Sequence, residues 1–291
     1  MKEQIEAVSR MQEYINNHLY EKITLADLSK VSLFSPWYSH RIFLQFTQKT
    51  PAQYIRRLKL SKSALKLRDE DCKIIDVAYE YGFFSVDGYQ RAFLKEFGCN
   101  PKEYSLNPIP LYLFTPYAVK FPKTERGNKD MGEVKSVFIQ VIEKPRRKVI
   151  IKRGLKAKDY FEYCEEVGCD VWGMLLSIKS ISGEPVCMWL PKSYILPGTS
   201  EYVQGVEVGL DYDEALVPEG FEMIEMPGAK FLMFQGEPFE EQDYEEAISD
   251  MWKAIEKYDP SFIGYKWDEE NPKIQLEPIG ERGYIELIPI K

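Results

Sequence analysis

Apolar and polar positions follow two different rhythms along the chain. Up to about residue 107 the apolar positions recur at helical spacing, and the punctuation around them predicts helices separated by tight turns. Thr24 with Asp27 reads as a capping arrangement, and Ser35 followed by Pro36 reads as an N-cap with proline in the first helical position. Gly82 supplies a turn and Ser85 the next N-cap. A longer helix over residues 52–67 joins these two helix-turn-helix units. After Tyr104, Pro108, Pro110 and Pro116 break the helical period. Residues 123–133, KTERGNKDMGE, read as a polar loop, whereas LYLFTPYAV before it is too apolar to lie free in solvent.

From Val134 onward the rhythm changes. VKSVFIQVIEKP and RKVIIKRG read as strands, KDYFEYCEEVGCDVWGMLLSIK as a helix with an internal glycine break, and VCMWLP and YVQGVEVGL as two further strands. KFLMFQGEP, YEEAISDMWKAIEKY, KIQLEPI and GYIELIPI then repeat the order strand, helix, strand, strand. The expectation is a multidomain protein: an all-α double helix-turn-helix domain over 1–107, a linker over 108–133, and an α+β domain over 134–291 built as a duplicated β-α-β-β unit.

An internal repeat reinforces the first half. SPWYSHRIFLQFTQKTPAQY (residues 35–54) and SVDGYQRAFLKEFGCNPKEY (residues 85–104) align without gaps at an offset of 50, with Ser35/Ser85, Arg41/Arg91, Phe43/Phe93, Leu44/Leu94, Pro51/Pro101 and Tyr54/Tyr104 identical. LADLS and IIDVA upstream match at an offset of 49. Phe43 and Phe93 are expected to face each unit's own core.

Charge divides along the same boundary. The chain has 46 acids and 38 bases, yet residues 1–108 hold 13 acids and 16 bases, and the remaining residues hold 33 and 22. Residues 31–68 contain no acid and the bases Arg41, Lys49, Arg56, Arg57, Lys59, Lys62, Lys66 and Arg68. Such a stretch in an acidic chain suits contact with phosphates, which a nearby carboxylate would repel. No apolar run reaches the ~20 residues of a membrane span. The N-terminus MKEQIEAVSRMQEY lacks a secretory apolar region, so a cytoplasmic protein is expected. Five scattered Cys (Cys72, Cys99, Cys164, Cys169 and Cys187), without a CxxC pair and with only His18 and His40 as histidines, suggest neither disulfides nor metal, and no cofactor is expected.

IIDVAYEYGFFSVDGYQRAFLKEFGCNPKEY, with its paired upstream unit, resembles the AraC/XylS family of transcription regulators over residues 5–107. The resemblance implies that each unit lays its second helix in a major groove of double-stranded promoter DNA, with RNA polymerase as a further partner. Base-reading positions carried over are Trp37, His40, Arg41 and Gln45 in unit one, and Val86, Asp87, Gln90 and Arg91 in unit two. The chemistry suits: arginine clamps a guanine edge, glutamine an adenine, and an indole packs on a thymine methyl. Burial of Trp37 as a core cap is the alternative. Three positions depart from the family pattern: Leu33 replaces the turn glycine of unit one, Gly88 lies inside the second recognition helix, and Ser105 replaces the usual arginine after Tyr104.

YVQGVEV, VPEGFEMIEMPGAKFLMFQGEP and GYIELIPIK in the second half resemble the GyrI-like effector-binding domain. That resemblance implies a pocket with aromatic walls and a central acid for a small amphipathic or cationic effector, as in multidrug-sensing regulators. Strand alternation places Tyr284, Glu286 and Ile288 on one face. Glu286 is then either an edge-strand carboxylate in water or the pocket acid, with Tyr284, Trp172, Trp189, Tyr202 and Trp267 as candidate walls. A regulator rather than an enzyme is expected. The alternative is a hydrolase of reactive small molecules using Glu286 as general base, although both histidines lie in the other half.

Overall fold

A computed structural model describes residues 1–116, 136–240 and 243–291. The chain divides into two compact units, Met1–Asp130 and Met131–Lys291. The polar loop expected at 123–133 lies outside the described residues.

Seven helices form the described part of the first unit: α1 (Lys2–Asn17), α2 (Leu25–Ser32), α3 (Pro36–Thr47), α4 (Pro51–Asp69), α5 (Ile74–Glu80), α6 (Val86–Phe97) and α7 (Pro101–Leu106). Capping boxes open α2 and α4: Thr24 exchanges hydrogen bonds with Asp27, and Thr50 with Gln53. Arg10 of α1 donates to the carbonyls of Val31 (2.8 Å) and Ser32 (3.0 Å), satisfying acceptors at the end of α2. Ala7, Val8, Met11 and Ile15 of α1 pack with Leu28, Ile42, Phe43, Tyr54 and Leu58 in one core. Residues 108–116 are tied to α4: Leu111 and Leu113 are buried, the Phe114 N–H donates to Ser61 Oγ (2.7 Å), and its ring stands edge-on to Tyr54.

The second unit is built on one eight-stranded sheet in which every neighbouring pair is antiparallel. In chain order it contains β1 (Val137–Lys144), β2 (Arg147–Arg153), α8 (Tyr160–Val167), α9 (Asp170–Ser177), β3 (Val186–Trp189), β4 (Tyr202–Val208), β5 (Glu222–Met226), β6 (Ala229–Gly236), α10 (Tyr244–Lys257), β7 (Lys273–Gln275) and β8 (Ile285–Ile290). The expected glycine break is Gly168, at φ +101° between α8 and α9. Strand β5, an edge strand paired with β2, is an element that the sequence reading did not separate; it carries Glu222 on one face and Glu225 on the other.

Strand order is β1-β6-β8-β7-β3-β4-β2-β5. In each set (β2, β3, β4 and β6, β7, β8) the first strand pairs with the last and the last with the middle. The sets meet where β3 pairs with β7, and each edge strand, β1 or β5, flanks the set that it does not immediately precede in sequence. One sheet face carries Ile150, Cys187, Tyr202 and Val206 beneath α8 and α9, and Leu232, Phe234, Tyr284 and Ile288 beneath α10. Val149, Ile151, Met188, Val203, Phe231 and Leu287 form the core on the opposite face.

Candidate nucleic-acid interface and buried polar row

Helices α3 and α6 are set by the same local chemistry. Ser35 Oγ accepts from the Tyr38 N–H and Ser85 Oγ from the Gly88 N–H, so both helices begin at the predicted caps. A 2.7 Å bond between Ser32 and Ser39 hydroxyls, both buried, fastens α3 to α2. Each helix turns matching residues inward: Ser39, Ile42 and Phe43 in α3, and Tyr89, Ala92 and Phe93 in α6. The opposite faces follow an i, i+4, i+8 stripe. On α3 this is Trp37, Arg41 and Gln45; on α6 it is Asp87, Arg91 and Lys95, all exposed. His40 and Gln90 sit half-buried beside these stripes, as does Val86 at the start of α6. Trp37 is 70% exposed, so it does not cap the core. Lys95, the counterpart of Gln45, was missed by motif transfer although the offset of 50 points to it.

The two stripes differ in how their arginines are held. The Arg41 guanidinium lies 4.7 Å from the Tyr38 ring centre and 5.0 Å from that of Trp37. Stacking of this kind limits its rotamers while leaving the donor edge open. The matching positions in unit two are Gly88 and Asp87, so Arg91 stands without an aromatic bed. Gly88 does not interrupt α6, which runs unbroken to Phe97.

The acid-free stretch divides. Several of its bases find acceptors within the unit: Arg57 pairs with Glu96 (2.5 Å) and Lys66 with Glu80 (2.8 Å) on distant segments, and Arg68 with its neighbour Asp69 (2.8 Å). Lys59 is buried and donates to the Glu21 carbonyl (3.1 Å), and burial lowers its pKa. Lys49 lies over the Phe114 ring at 5.3 Å. Phosphate contact as the explanation for the whole run is therefore corrected: Arg57, Lys59, Lys66 and Arg68 serve the fold, while Arg41, Arg56 and Lys62 remain exposed.

Glu286 is on a central strand and 4% exposed, which rules out the edge-strand reading. Cross-strand register places Glu286 beside Gln275, Gln275 beside Cys187, and Cys187 beside Gln204, forming one row on the helix-covered face. Burial pushes the Glu286 carboxyl up to about 7, against the opposing influence of Lys273, Trp252 and Tyr284. Glu286 Oε2, the Tyr284 and Tyr202 hydroxyls, and both amide atoms of Gln204 are buried without a hydrogen-bond partner. The Cys187 thiol is near enough to the Tyr202 hydroxyl to bias its titration, but without hydrogen-bond geometry. Aromatic rings adjoin the row: Trp189 stands 5.0 Å from Tyr202 and 6.2 Å from Trp252 of α10.

Of the expected ligand residues, the fold thus gathers Glu286, Tyr284, Tyr202 and Trp189. Trp267 pairs with Ile290, about 13 Å along β8 from Glu286 at strand rise, and packs beneath α10 in the cluster that also holds Tyr284. Trp172 packs into the core between α9 and the sheet. Gln204, Gln275 and Cys187 join the row through pairing register alone, and Trp252 reaches it from α10, none with a motif to announce it. Among the described residues, no group of three or more His, Cys, Asp and Glu could hold a metal ion, and no helix is long and apolar enough to cross a membrane.

Comparison with known proteins places the first unit. A family model described as a helix-turn-helix domain matches residues 28–107. Regulatory protein SoxS of Salmonella typhimurium is 33% identical over 92 residues, covering 32% of this chain and 86% of SoxS. The uncharacterized HTH-type transcriptional regulator YbfP of Bacillus subtilis is 37% identical over 98 residues, and the Right origin-binding protein of Escherichia coli 34% over 95; these matches span 34% and 33% of this chain and a third (33%) of each relative's own length. All of these matches are confined to about a third of the chain. With matching capped helices in both units and a relative covered almost end to end, the chain belongs to the AraC family of helix-turn-helix DNA-binding transcription regulators.

Proposed function

We propose that this regulator reads promoter DNA through α3 and α6 and answers to a small molecule bound on the covered face of its second unit. On the DNA side, Trp37, Arg41 and Gln45, with His40 at their edge, face one major groove. Asp87, Gln90, Arg91 and Lys95 face the next, and Arg56 and Lys62 supply phosphate contacts. The observation that carries this reading is the pair of exposed stripes at an offset of 50 on helices with equivalent caps. RNA polymerase is the partner that a promoter-bound regulator would engage. The test is duplex binding to a footprinted promoter site by Arg41→Ala and Arg91→Ala. Each is expected to lose about ten-fold or more, as for loss of a bidentate base contact. Unchanged affinity in both variants would sink the assignment.

For the second unit, the strand order that reads alike from either edge supports a GyrI-like duplicated β-α-β-β module. The buried row supports an effector site with Glu286 as its acid and Tyr284, Tyr202 and Trp189 around it. A carboxylate poised near neutrality favours a cationic or hydrogen-donating ligand. The same poise suits a general base, which keeps hydrolysis of a reactive small molecule as a second reading. Turnover by the native chain that disappears in Glu286→Gln would establish that reading over the first.

A further inference from the structure

The strand order pairs β4 with β8 and β3 with β7 about the seam between β3 and β7. Under that correspondence, Tyr202-Val203-Gln204 stands where Tyr284-Ile285-Glu286 stands, and Cys187 stands where Gln275 does. Tyr202 and Tyr284 flank the row on opposite sides because β4 and β8 run in opposite directions. The side chains concerned all leave polar atoms unmet: Tyr202 and Gln204 on one side of the seam, Tyr284 and Glu286 on the other. Gln204 is 1% exposed, and an amide buried with both its donor and its acceptor unmet is destabilising unless something supplies them.

The two ends differ in charge. Glu286 is a carboxyl flanked in the row by Phe234, with Lys273 acting on it from β7, whereas Gln204 is a neutral amide, and the ammonium of its β2 neighbour Lys152 lies over the Phe221 ring at 5.0 Å. A cation is welcome at the first end, and the second offers neutral donors and acceptors. Three strand spacings separate the two positions, about 14 Å at the backbone.

We infer that Tyr202 and Gln204 form a second polar pole of the effector site, so that the ligand is an elongated amphipathic cation carrying a neutral group, amide or hydroxyl in type, at its far end. This rests on the effector reading above and adds a requirement that a single central acid would not impose. The Gln204 amide would both donate to and accept from that group, while Trp189 and Trp252 cover the span between the poles, where Gln275 and Cys187 stand.

Octyltrimethylammonium and the same cation ending in a carboxamide distinguish the poles when titrated into the full chain by calorimetry. The carboxamide probe is expected to bind the native chain about ten-fold tighter, the size of one good buried hydrogen-bonding group. Gln204→Leu brings the ratio of the two affinities to about one. Glu286→Gln weakens both probes and keeps the ratio. If Glu286→Gln weakens both but the native chain shows no preference, or if the preference survives Gln204→Leu, the second pole is overturned and the effector site stands. If neither probe binds the native chain, both fall. Thermal unfolding gives an independent measure: replacing an unmet amide with an apolar group should raise the melting temperature of Gln204→Leu by about 2–4 °C. A fall would assign Gln204 to holding the fold and overturn the proposal.

Discussion

Glu207 and Glu286 are both buried carboxylates in the sheet of the second unit, on β4 and β8 and on opposite faces, and they are treated in opposite ways. Glu207 receives Arg147 Nε (2.5 Å), Lys144 Nζ (2.5 Å) and the Ser182 hydroxyl. Burial would raise its pKa, but Lys144 and Arg147 outweigh it and hold the carboxyl below its ordinary value. Glu286 has only Lys273 acting on it, which does not outweigh burial; it keeps one oxygen unmet and is pushed up. The difference separates a charge that the fold needs from one that the fold tolerates. A buried ion pair whose partners are all present roughly offsets its own desolvation cost, but removing one partner strands the others.

The largest expected effect tests the first half of that contrast. Glu207→Leu would leave Arg147, 1% exposed, and Lys144 without their counter-charge. The expected cost is about 3–5 kcal/mol, read as a fall in the denaturant midpoint of the full chain. Glu286→Leu removes an unmet polar group instead, and the midpoint should rise. Equal losses in both variants would erase the distinction.

Acid and base dependence should also differ in sign. The folded pKa of Glu286 lies near 7, above its ordinary 4.5, so between those values the folded chain holds a proton that the unfolded chain has released. Stability then falls as pH rises through this window, by about 3 kcal/mol in all at ~1.4 kcal/mol per pH unit. Glu207, depressed when folded, stabilises above its unfolded pKa and loses that contribution as pH falls through the folded value. In chemical denaturation from pH 5 to 8, Glu286→Gln should gain on the native chain progressively with pH. A constant difference across the window would show that Glu286 is not poised as described.

Much of the first unit was legible because its repeat is long and written in residues with local meaning: Ser35 and Ser85 cap, Phe43 and Phe93 pack, and Pro51 and Pro101 start helices. The acid-free stretch misled because the groups that satisfy Arg57, Lys59 and Lys66 belong to Glu96, Glu21 and Glu80, far off in sequence. In the second unit, alternation placed Glu286 and Tyr284 on one face, but Gln204 and Gln275 enter the row only through strand register, which residue spacing does not carry. The match of Tyr202-x-Gln204 to Tyr284-x-Glu286 is too short, and its last residue too altered, to be seen without the strand order. Glu207 looked like any polar position in YVQGVEV until Arg147 and Lys144 were brought beside it.

The smallest effect concerns a milder version of the same contrast, a local rule broken in one unit and kept in its twin. Leu33 closes α2 at φ +63°, and Gly82 occupies the matching turn after α5 at φ +73°. A left-handed conformation costs a side-chain-bearing residue about 1 kcal/mol or more relative to glycine. Leu33 is 79% exposed and has little packing to offset that cost. Leu33→Gly should therefore stabilise the chain by somewhat less than ~1 kcal/mol, because glycine also loosens the unfolded state. Gly82→Ala should cost more than Leu33→Gly returns. A Cβ there would meet Lys59 Nζ at 2.9 Å and displace the ammonium from the Glu21 carbonyl, adding a lost buried hydrogen bond to the backbone strain. Denaturant midpoints of the two variants decide the matter: a gain at 33 with a larger loss at 82 fits a strained cap against a fitted one, whereas a loss at both would mean that the Leu33 side chain holds its turn.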